Sequence, residues 1–374
     1  MSDVYYFGTY GSEGFNPSAL SVAGQLAQNG LVNNIKNELK EIYCYVPNRI
    51  FPLGSKLYVS SKKNNDVTSL FYLNLPLLRW VTLFFSVLYH SLLIPKGANI
   101  IAYNCYYPSV LPILIARLFK GFKVSTIAYD IHIPGNTVKN SIGNWIQYYL
   151  VRFCLKRSDK VIAINRKIVD DFNLDKNSLI IHGGVERVFP PSLPVITKHN
   201  VIKVGFAGRL DRDNGIKEIL NVAQNNINPH VEFYIAGTGE LVEDVRRSQN
   251  INYLGELPHQ SCIDFLKSMD ILLCIRVRNE VDTRYFFPSK FYEYLSIGKP
   301  VISTKLPLDD EELDRVCFVV EENANSITCV LDDFLSGKLD LTVLNNSHEY
   351  IKSKVWVNQA NRIMCFVRGD KYGC

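Results

Sequence analysis

The sequence predicts an α/β protein of two domains, each built on a parallel sheet. Short apolar strands alternate with helical segments in the first half, and the same alternation begins again after a proline-rich stretch at residues 187–200. Strands joined in this way form right-handed crossovers, and their carboxyl ends make the ligand-binding edge. A chain of 374 residues is long enough for two such domains, and we expect their ligand edges to face a cleft.

Composition is that of an ordinary globular protein, with 47% apolar and 21% charged residues. The nine cysteines are odd in number, widely spaced and without a Cys-x-x-Cys pair, so neither a disulfide framework nor a zinc site is indicated. The amino terminus lacks the basic start and apolar core of a signal peptide. We therefore expect a cytoplasmic location.

Charge differs between the two halves of the chain. Residues 1–195 contain 20 Lys and Arg against 11 Asp and Glu, a net charge of +9, whereas the remaining residues carry −4. A basic half is compatible with nucleic acid, an anionic membrane face or an acidic substrate, and also with solvated charge that has no partner.

The first strand leads into a glycine-rich loop that contains Gly11, Gly14 and Asn16. The pattern then predicts a helix from about Pro17 to Asn29-Gly30. Glycines at such a junction let a ligand approach the backbone, but the loop matches neither the dinucleotide fingerprint nor the P-loop.

The most hydrophobic segment is Leu75–Ile94. Arg79 and Pro95 leave an apolar run between them that is shorter than the roughly 20 residues of a membrane span. We predict a helix, packed in the core or lying at a membrane interface.

A polar pair follows the strand predicted at residues 123–128. Asp130 and His132 then fall on the carboxyl edge of the first sheet, where such side chains bind hydroxyl groups or accept a proton. A polar turn without a ligand is the alternative.

In the second half, the stretch Phe286–Thr304 predicts a short helix that ends at Gly298. Its first backbone N–H groups, at Ser289 and Lys290, form a site suited to an anion such as a diphosphate. Glu293, one turn further on, can accept hydrogen bonds from two neighbouring hydroxyls. A capped amphipathic helix with a solvent-facing Glu293 is the alternative.

Four motifs, in order and spacing, resemble the donor domain of nucleotide-sugar glycosyltransferases with the GT-B fold, in particular glycosyltransferase family 4. They are Phe206-Ala207-Gly208-Arg209-Leu210 with Gly215, Ile235-Ala236-Gly237-Thr238-Gly239, Gly255-Glu256-Leu257-Pro258, and Phe287-Pro288-Ser289-Lys290 to Glu293-Tyr294 with Gly298-Lys299-Pro300. The first half is similar more loosely, at Tyr103-Asn104 and at Ser158 to Ala163. The resemblance implies two Rossmann-like domains facing a cleft.

The resemblance also implies residue roles. It places Arg209 on the donor diphosphate, Glu293 on the ribose, and the Ser289-Lys290 helix start beside the phosphates. The donor-binding set is then Arg209, Gly208, Asn214, Lys217, Gly237, Ser289, Lys290 and Glu293. Gly11, Gly14 and Asn16 line the acceptor side of the cleft, and Asp130 and His132 are the catalytic candidates.

Two positions depart from the family pattern. Asn214 stands where the family has a lysine, so Lys217 or Lys290 has to supply the missing positive charge. Tyr285 stands where retaining members have the first of two glutamates, and Glu280 and Asp282 in the same loop are possible substitutes. We still expect retention of anomeric configuration, because the other motifs favour it.

No metal or other cofactor is expected, because arginine and helix N-termini can neutralise the leaving diphosphate. The Asp211-Arg212-Asp213 sequence is suited to a divalent ion, but a solvated turn is the favoured interpretation.

The expected enzyme transfers a sugar to a saccharide acceptor, lipid-linked and belonging to a surface polysaccharide such as O-antigen or capsule. The partners are a nucleotide diphosphate sugar and an anionic membrane surface touched peripherally at its inner face; no nucleic acid is expected. A non-catalytic partner subunit and a nucleotide-sugar epimerase on the same fold are the alternatives.

The expected domains are an acceptor-binding domain at 1–190, a linker at 191–200 and a donor-binding domain at 201–348. A helix at 349–374 is expected to cross back to the first domain.

Overall fold

The computed structural model confirms a mixed α/β fold with parallel sheets. It describes residues 2–10, 22–45, 48–54, 56–104, 107–129, 131–174, 177–193, 201–226, 228–277, 284–286, 289–306, 308 and 310–370. The chain divides into two compact units. Unit 1 comprises Met1–Gly184, Arg284–Phe287 and Trp356–Cys374, and unit 2 comprises Val185–Thr283 and Pro288–Val355.

Unit 1 is built on a mainly parallel sheet. Its strands are β1 (Val4–Gly8), β2 (Glu41–Cys44), β3 (Tyr58–Val59), β4 (Lys63–Asn64), β5 (Val67–Ser69), β6 (Tyr72–Leu73), β7 (Asn99–Tyr103), β8 (Lys123–Ala128), β9 (Lys160–Ala163) and β10 (Ser178–Ile180). The main sheet has the order β10-β9-β8-β7-β1-β2-β5-β4, while β3 pairs with β6. Within the main sheet, β4 runs antiparallel to β5 and the other neighbours pair in parallel.

Helices cover both faces of this sheet. They are α1 (Val22–Ile35), α2 (Leu78–Leu93), α3 (Tyr107–Lys120), α4 (Ile142–Arg157) and α5 (Arg166–Phe172). The chain moves one way across the sheet from β1 to β2, and the other way into β7, β8 and β9. Right-handed crossovers therefore place α1 on one face and α2, α3 and α4 on the other. Leu83, Ile113 and Cys154 of that three-helix layer share a buried core with Phe7 and Ile100 of the sheet.

The hydrophobic segment predicted as a helix forms α2. Leu83 and Val87 pack into the core, whereas Phe85 and Tyr89 are exposed on the opposite side of the same helix. One side of α2 thus packs in the core, as the first of the two interpretations predicts, and contact of the other side with a membrane stays a prediction. Within the described ranges, no helix combines the length and the apolar character needed to cross a bilayer.

Unit 2 is built on a parallel sheet of six strands among its described residues. The strands are β11 (Ile202–Ala207), β12 (Val231–Ala236), β13 (Ile251–Tyr253), β14 (Ile271–Cys274), β15 (Val301–Thr304) and β16 (Phe318–Val320), in the order β13-β12-β11-β14-β15-β16. The helices are α6 (Ile216–Asn225), α7 (Val242–Arg247), α8 (His259–Ser268), α9 (Ser289–Ile297), α10 (Asp310–Val316), α11 (Ala324–Leu335) and α12 (Thr342–Lys352). Phe206, Ile219 and Ile235 lie in its buried core.

The last helix, α13 (Trp356–Arg368), belongs to unit 1 and packs against α1. A Cβ atom on Gly30 would lie 2.3 Å from the Trp356 ring, so only glycine lets the indole rest on the backbone of α1. The predicted end of the first helix at Asn29-Gly30 is therefore wrong, and α1 continues through Gly30 to Ile35.

The carboxyl-terminal segment differs from the single helix predicted from residue 349. α12 ends at Lys352 and α13 begins at Trp356. Between them, the N–H groups of Ser353 and Lys354 bond to the carbonyls of Tyr350 and Ile351, closing a tight turn.

Candidate functional site

The carboxyl edge of the unit 2 sheet is organised by the start of α9. The buried Tyr294 hydroxyl accepts a hydrogen bond from the Ala207 N–H at 2.8 Å and donates one to the Ala207 carbonyl at 2.9 Å. This pair of bonds ties α9 to the end of β11. Since Ser289 and Lys290 form the first turn of α9, the tie also determines where their side chains and N–H groups lie.

Lys290 lies at the centre of this edge. Its Nζ donates to Asn214 Oδ1 at 3.1 Å and lies 4.6 Å from the centroid of the Phe206 ring. A Cβ atom on Gly208, whose φ is +144°, would lie 2.1 Å from the same Nζ. Glycine at 208 therefore opens the space that the ammonium group occupies.

Burial first, and then the positive charge of Arg276, lower the pKa of Lys290 to about 8, against the opposing charges of Asp213 and Glu293. A cation held in a partly desolvated site gains from a bound anion, because the anion restores the charge stabilisation that water no longer gives. The edge is thus suited to a phosphate group.

A second cation, Arg276, joins this group and was not among the residues predicted from sequence. Its Nη1 pairs with Asp213 Oδ2 at 2.7 Å. Its backbone is fixed by Thr304, whose Oγ1 accepts from the Arg276 N–H at 2.7 Å and donates to the Arg276 carbonyl at 2.9 Å. Arg276 follows β14 directly, so the rule that ligand-binding side chains follow parallel strands could have identified it.

Glu293 lies one turn along α9 and is partly buried. Burial raises the pKa of its carboxyl group, while the nearby His259 and Lys290 lower it. Both carboxylate oxygens are without a recorded protein donor among the described residues, so they can accept hydrogen bonds from a pair of ligand hydroxyls.

Arg209 and Lys217 are the other two cations predicted for the donor. Arg209 Nε pairs with Asp211 Oδ2 at 2.7 Å, and the Arg209 side chain is 80% exposed. Lys217 is exposed on the first turn of α6. Within the part of the chain that the structure describes, no recorded contact joins either residue to Lys290.

The two glycine turns of the motif region pack on each other. Gly237 has a φ of +137°, and a Cβ atom there would lie 1.8 Å from the Gly208 carbonyl oxygen. The Gly237 carbonyl accepts from the Tyr253 hydroxyl at 2.7 Å. Gly237 therefore shapes the edge by allowing two backbone turns to touch.

The two aspartates of the Asp211-Arg212-Asp213 sequence are in separate ion pairs, Asp211 with Arg209 and Asp213 with Arg276. Across the described ranges, no group of three or more His, Cys, Asp and Glu side chains is arranged to hold a metal ion.

On unit 1, His132 is the described member of the predicted catalytic pair. Its Nδ1 is buried and has no hydrogen-bond partner among the described residues, and burial lowers its pKa. Its ring lies 5.4 Å from that of Phe286. Asp130 and the predicted acceptor-side residues Gly11, Gly14 and Asn16 lie outside the described residues, as do Glu280 and Asp282.

Tyr285, at the position of the family's first glutamate, is buried in unit 1. Its hydroxyl donates to Asp171 Oδ2 at 2.9 Å, and its ring lies 5.4 Å from that of Phe172. The Asn165 amide donates to the flanking carbonyls of Arg284 and Phe286 at 3.0 and 3.1 Å. Tyr285 thus anchors its own segment in the described structure.

Comparisons with known proteins agree with this arrangement. The family model described as Glycosyl transferases group 1 matches residues 202–333, which include the Lys290 group. No curated protein matches the chain by sequence.

Several solved structures share the fold. The apo form of WaaB, a lipopolysaccharide outer core galactosyltransferase, is 14% identical with a TM-score of 0.61, covering 98% of this chain and 99% of its own. The catalytic domain of starch synthase IV from Arabidopsis thaliana, bound to ADP and acarbose, is 8% identical with a TM-score of 0.64 and the same two coverages. AviGT4, a glycosyltransferase involved in avilamycin A biosynthesis, is 13% identical with a TM-score of 0.58, covering 98% of this chain and 97% of its own. The chain thus has the fold of these enzymes, and residues 202–333 in unit 2 match the glycosyltransferase family model.

Proposed function

We propose that the protein transfers a sugar from a nucleotide diphosphate sugar to a saccharide acceptor. The observation that carries this proposal is the pair of cations, Lys290 and Arg276, held at the carboxyl edge of unit 2 within the residues that match the glycosyltransferase model. A diphosphate leaving group needs such charges, because negative charge develops on it as the glycosidic bond breaks.

The donor would bind with its diphosphate against the start of α9. The N–H groups of Ser289 and Lys290, the Lys290 ammonium group and the bare backbone at Gly208 all lie there. Glu293 would accept hydrogen bonds from the two ribose hydroxyls. Arg209 would leave Asp211 and close over the phosphates, since its side chain is largely exposed.

Arg276 would compensate for the positive charge that is missing at Asn214. Asn214 stands where the family has a lysine, and its amide oxygen accepts a hydrogen bond from Lys290 instead of meeting the ligand with a charge. The guanidinium of Arg276 adds a permanent charge to the same group. The exposed Lys217, one turn into α6, remains available as a third cation for the phosphates.

We propose retention of anomeric configuration without a metal ion. The Tyr285 hydroxyl donates to Asp171 and its ring packs beside Phe172. The sugar-binding carboxylate would therefore come from Glu280 or Asp282. On the acceptor side, Asp130 and His132 would bind the acceptor hydroxyl, with Gly11, Gly14 and Asn16 along the same side. Burial favours neutral His132, which is able to take up a proton.

The acceptor would be a lipid-linked saccharide of a surface polysaccharide, such as O-antigen or capsule, at the inner face of the cell membrane. The likeness to a lipopolysaccharide outer core galactosyltransferase and the +9 charge of residues 1–195 favour this class over a free saccharide.

The test is a screen of nucleotide sugars with the purified chain and lipid-linked or free saccharide acceptors, read by mass spectrometry. We expect transfer from one nucleotide sugar, with a product whose anomeric configuration matches the donor by NMR. Replacing Glu293 by Gln should abolish most of the transfer, whereas replacing the exposed Glu243 by Gln should leave it unchanged.

The alternatives give different results in the same screen. A non-catalytic partner subunit would bind a nucleotide sugar and neither transfer nor hydrolyse it. An epimerase would form an epimer of the nucleotide sugar in the absence of any acceptor. Either result would overturn the proposal.

A further inference from the structure

Helix α4 presents an apolar face to solvent. The side chains of this face recur at helical spacing, and they are Ile142, Trp145, Ile146, Tyr149 and Phe153, with exposed fractions of 80%, 37%, 54%, 59% and 45%. Val151, Cys154 and Leu155 on the opposite face are buried. An ordinary surface helix has one apolar face, turned to the core, so α4 has one apolar face more than its fold requires.

The neighbouring helices of the same layer repeat this feature. α2 exposes Leu78, Val81, Phe85 and Tyr89, which again recur at helical spacing, and α3 exposes Leu118 and Phe119 at its end. α3 contacts α2 on one side and α4 on the other. We refer to the outward sides of α2, α3 and α4 as the layer face.

Negative charge is absent from these helices. None of α2, α3 and α4 contains Asp or Glu, and residues 67–158 contain nine Lys and Arg against the single acidic residue Asp130. A surface that faces water normally mixes both signs of charge. The layer face instead combines exposed apolar side chains with an absence of acidic ones, and contact with water alone favours neither feature.

Exposed basic residues flank the layer at one end. The three helices lead into β7, β8 and β9, which are parallel neighbours in the main sheet, so the three carboxyl ends lie near the same edge of that sheet. Lys96 follows α2, Lys123 follows α3, and Lys156 and Arg157 end α4; all four are exposed. Arg117, in the last turn of α3, is instead paired with Asp159 at 2.9 Å.

We propose that the layer face docks on an anionic lipid bilayer, with the apolar side chains of α4 and α2 entering the headgroup region. Apolar area and several basic residues together give the two signals that reversible membrane binding needs. A second copy of the chain fits this face poorly, because it would bring the same positive charge against it. The inference rests on the membrane-linked acceptor of the proposed function and assigns the membrane contact to the layer face; it does not depend on the donor site.

The experiment is flotation of the full chain with vesicles of phosphatidylcholine alone or of phosphatidylcholine with phosphatidylglycerol, at low and high salt. We expect binding to the anionic vesicles at low salt, and weaker binding at high salt as the charges are screened. The double variant Ile146→Asp/Tyr149→Asp should bind at least roughly tenfold more weakly, because it places charge on the apolar face. Leu254→Asp, at an exposed apolar side chain of unit 2, should bind like the wild type.

A spectroscopic measurement separates docking from loss of folding. Trp145 is 37% exposed on the layer face, so its fluorescence should shift to the blue on anionic vesicles and be quenched by brominated lipid. In a Trp145→Phe variant the vesicle-dependent shift should largely disappear while flotation persists. Circular dichroism and nucleoside diphosphate affinity equal to wild type would show that each variant is folded.

Three results would overturn the inference. They are failure of the wild-type chain to float with anionic vesicles at low salt, equal flotation of the folded double variant, and a wild-type dimer that the double variant makes monomeric without a change in flotation. A chain that binds nucleotide and not vesicles would overturn this inference alone and leave the donor proposal standing.

Discussion

The carboxyl edges of the two sheets differ in chemistry although the sheets share a topology. In unit 2 the edge is charged, with Lys290, Arg276 and Asp213 in one group. In unit 1 the edge is aromatic. Tyr103 is the last residue of β7 and Tyr129 comes directly after β8, and their rings meet nearly at right angles with centroids 5.5 Å apart. Parallel sheets thus provide a place for a ligand, and the side chains that follow each strand decide its kind.

This difference corresponds to the two substrates of the proposed reaction. A charged edge suits a diphosphate, which carries negative charge throughout the reaction. The rings of Tyr103 and Tyr129 are themselves buried, so an edge built on them is largely apolar and suits a neutral saccharide better than a diphosphate. If this comparison is right, changes at the unit 2 edge should alter nucleotide binding, and changes at the unit 1 edge should not.

Gly237→Ala should destabilise unit 2 most. The new Cβ would lie 1.8 Å from the Gly208 carbonyl oxygen, at a φ of +137°. Overpacking and left-handed backbone strain together should lower the free energy of unfolding by roughly 3 kcal/mol. Urea denaturation followed by circular dichroism measures this loss.

Gly255→Ala is the matched control, because its φ is also positive, at +76°, but no atom lies within 4 Å of the new Cβ. We expect it to cost only about 1 kcal/mol. Equal losses in the two variants would show that the contact between the two glycine turns is not tight in solution.

Lys290→Met should weaken binding of a nucleoside diphosphate by about 2 kcal/mol, the usual scale of a hydrogen bond to a charged group. Methionine keeps the chain length that packs over Phe206 and removes the charge. Arg276→Gln should cost a similar amount if both cations face the phosphates. Calorimetry measures both, with the exposed Lys338→Met as control; unchanged affinity in both variants would remove the phosphate site from this edge.

Nucleoside diphosphate affinity should also depend on pH through Lys290. Burial and the nearby Arg276 lower the pKa of Lys290 to about 8, so the ammonium form is lost as pH rises through this value in the free protein. Between pH 7 and pH 9 the affinity should fall up to about tenfold, since a change of one pH unit beyond the pKa leaves about one molecule in ten protonated. Lys290→Arg keeps its charge over this range and should give a flatter profile.

The stability of the folded protein should depend on the protonation of Lys290 in the opposite sense to nucleotide affinity. Because the pKa of Lys290 is lower in the folded protein than in the unfolded chain, the unfolded chain binds more protons at pH values between the two. The contribution of Lys290 to stability therefore rises as pH rises through this window.

A wild-type nucleoside diphosphate affinity that does not change between pH 7 and pH 9 would place Lys290 outside the phosphate site.

The alternation of strands and helices was sufficient to predict two parallel sheets, because each crossover is a local pattern. The end of α1 was not predictable in this way. In the sequence, Gly30 has the pattern of a helix end. In the structure it lies within α1 and leaves room for the ring of Trp356, which comes from the other end of the chain. Local rules cannot identify a glycine that is required by a distant contact.

The candidate site shows the same limit. Lys290 was predicted from its place at a helix start, and the structure brings it to Asn214 and Gly208. Arg276 could have been a candidate from its place after β14, but its pairing with Asp213, 63 residues away in the sequence, is visible only in the structure. The exposed face of α4 was missed because an amphipathic pattern does not tell which of two apolar faces the core will cover.

Tyr285→Phe should have a smaller effect, on unit 1. It removes the hydrogen bond from the hydroxyl to Asp171 and keeps the ring against Phe172, so the free energy of unfolding should fall by about 1 kcal/mol. Sugar transfer should persist, because Tyr285 serves to anchor its segment. Loss of transfer with unchanged stability would instead assign Tyr285 to the sugar.

The smallest expected effect is the titration of His132 on the aromatic edge. Burial lowers the pKa of His132, so NMR of histidine-labelled protein should place it below the ordinary value of about 6.5, with His132→Gln assigning the resonance. As pH falls, the unfolded chain then protonates its histidine at a higher pH than the folded protein does. The contribution of His132 to stability is therefore complete above pH 6.5 and is lost as pH falls below it. In urea the same resonance should titrate near the ordinary value. A pKa in the folded protein equal to or above the value in urea would mean that burial does not favour the neutral ring, and the argument from burial for a neutral, proton-accepting His132 would then fail.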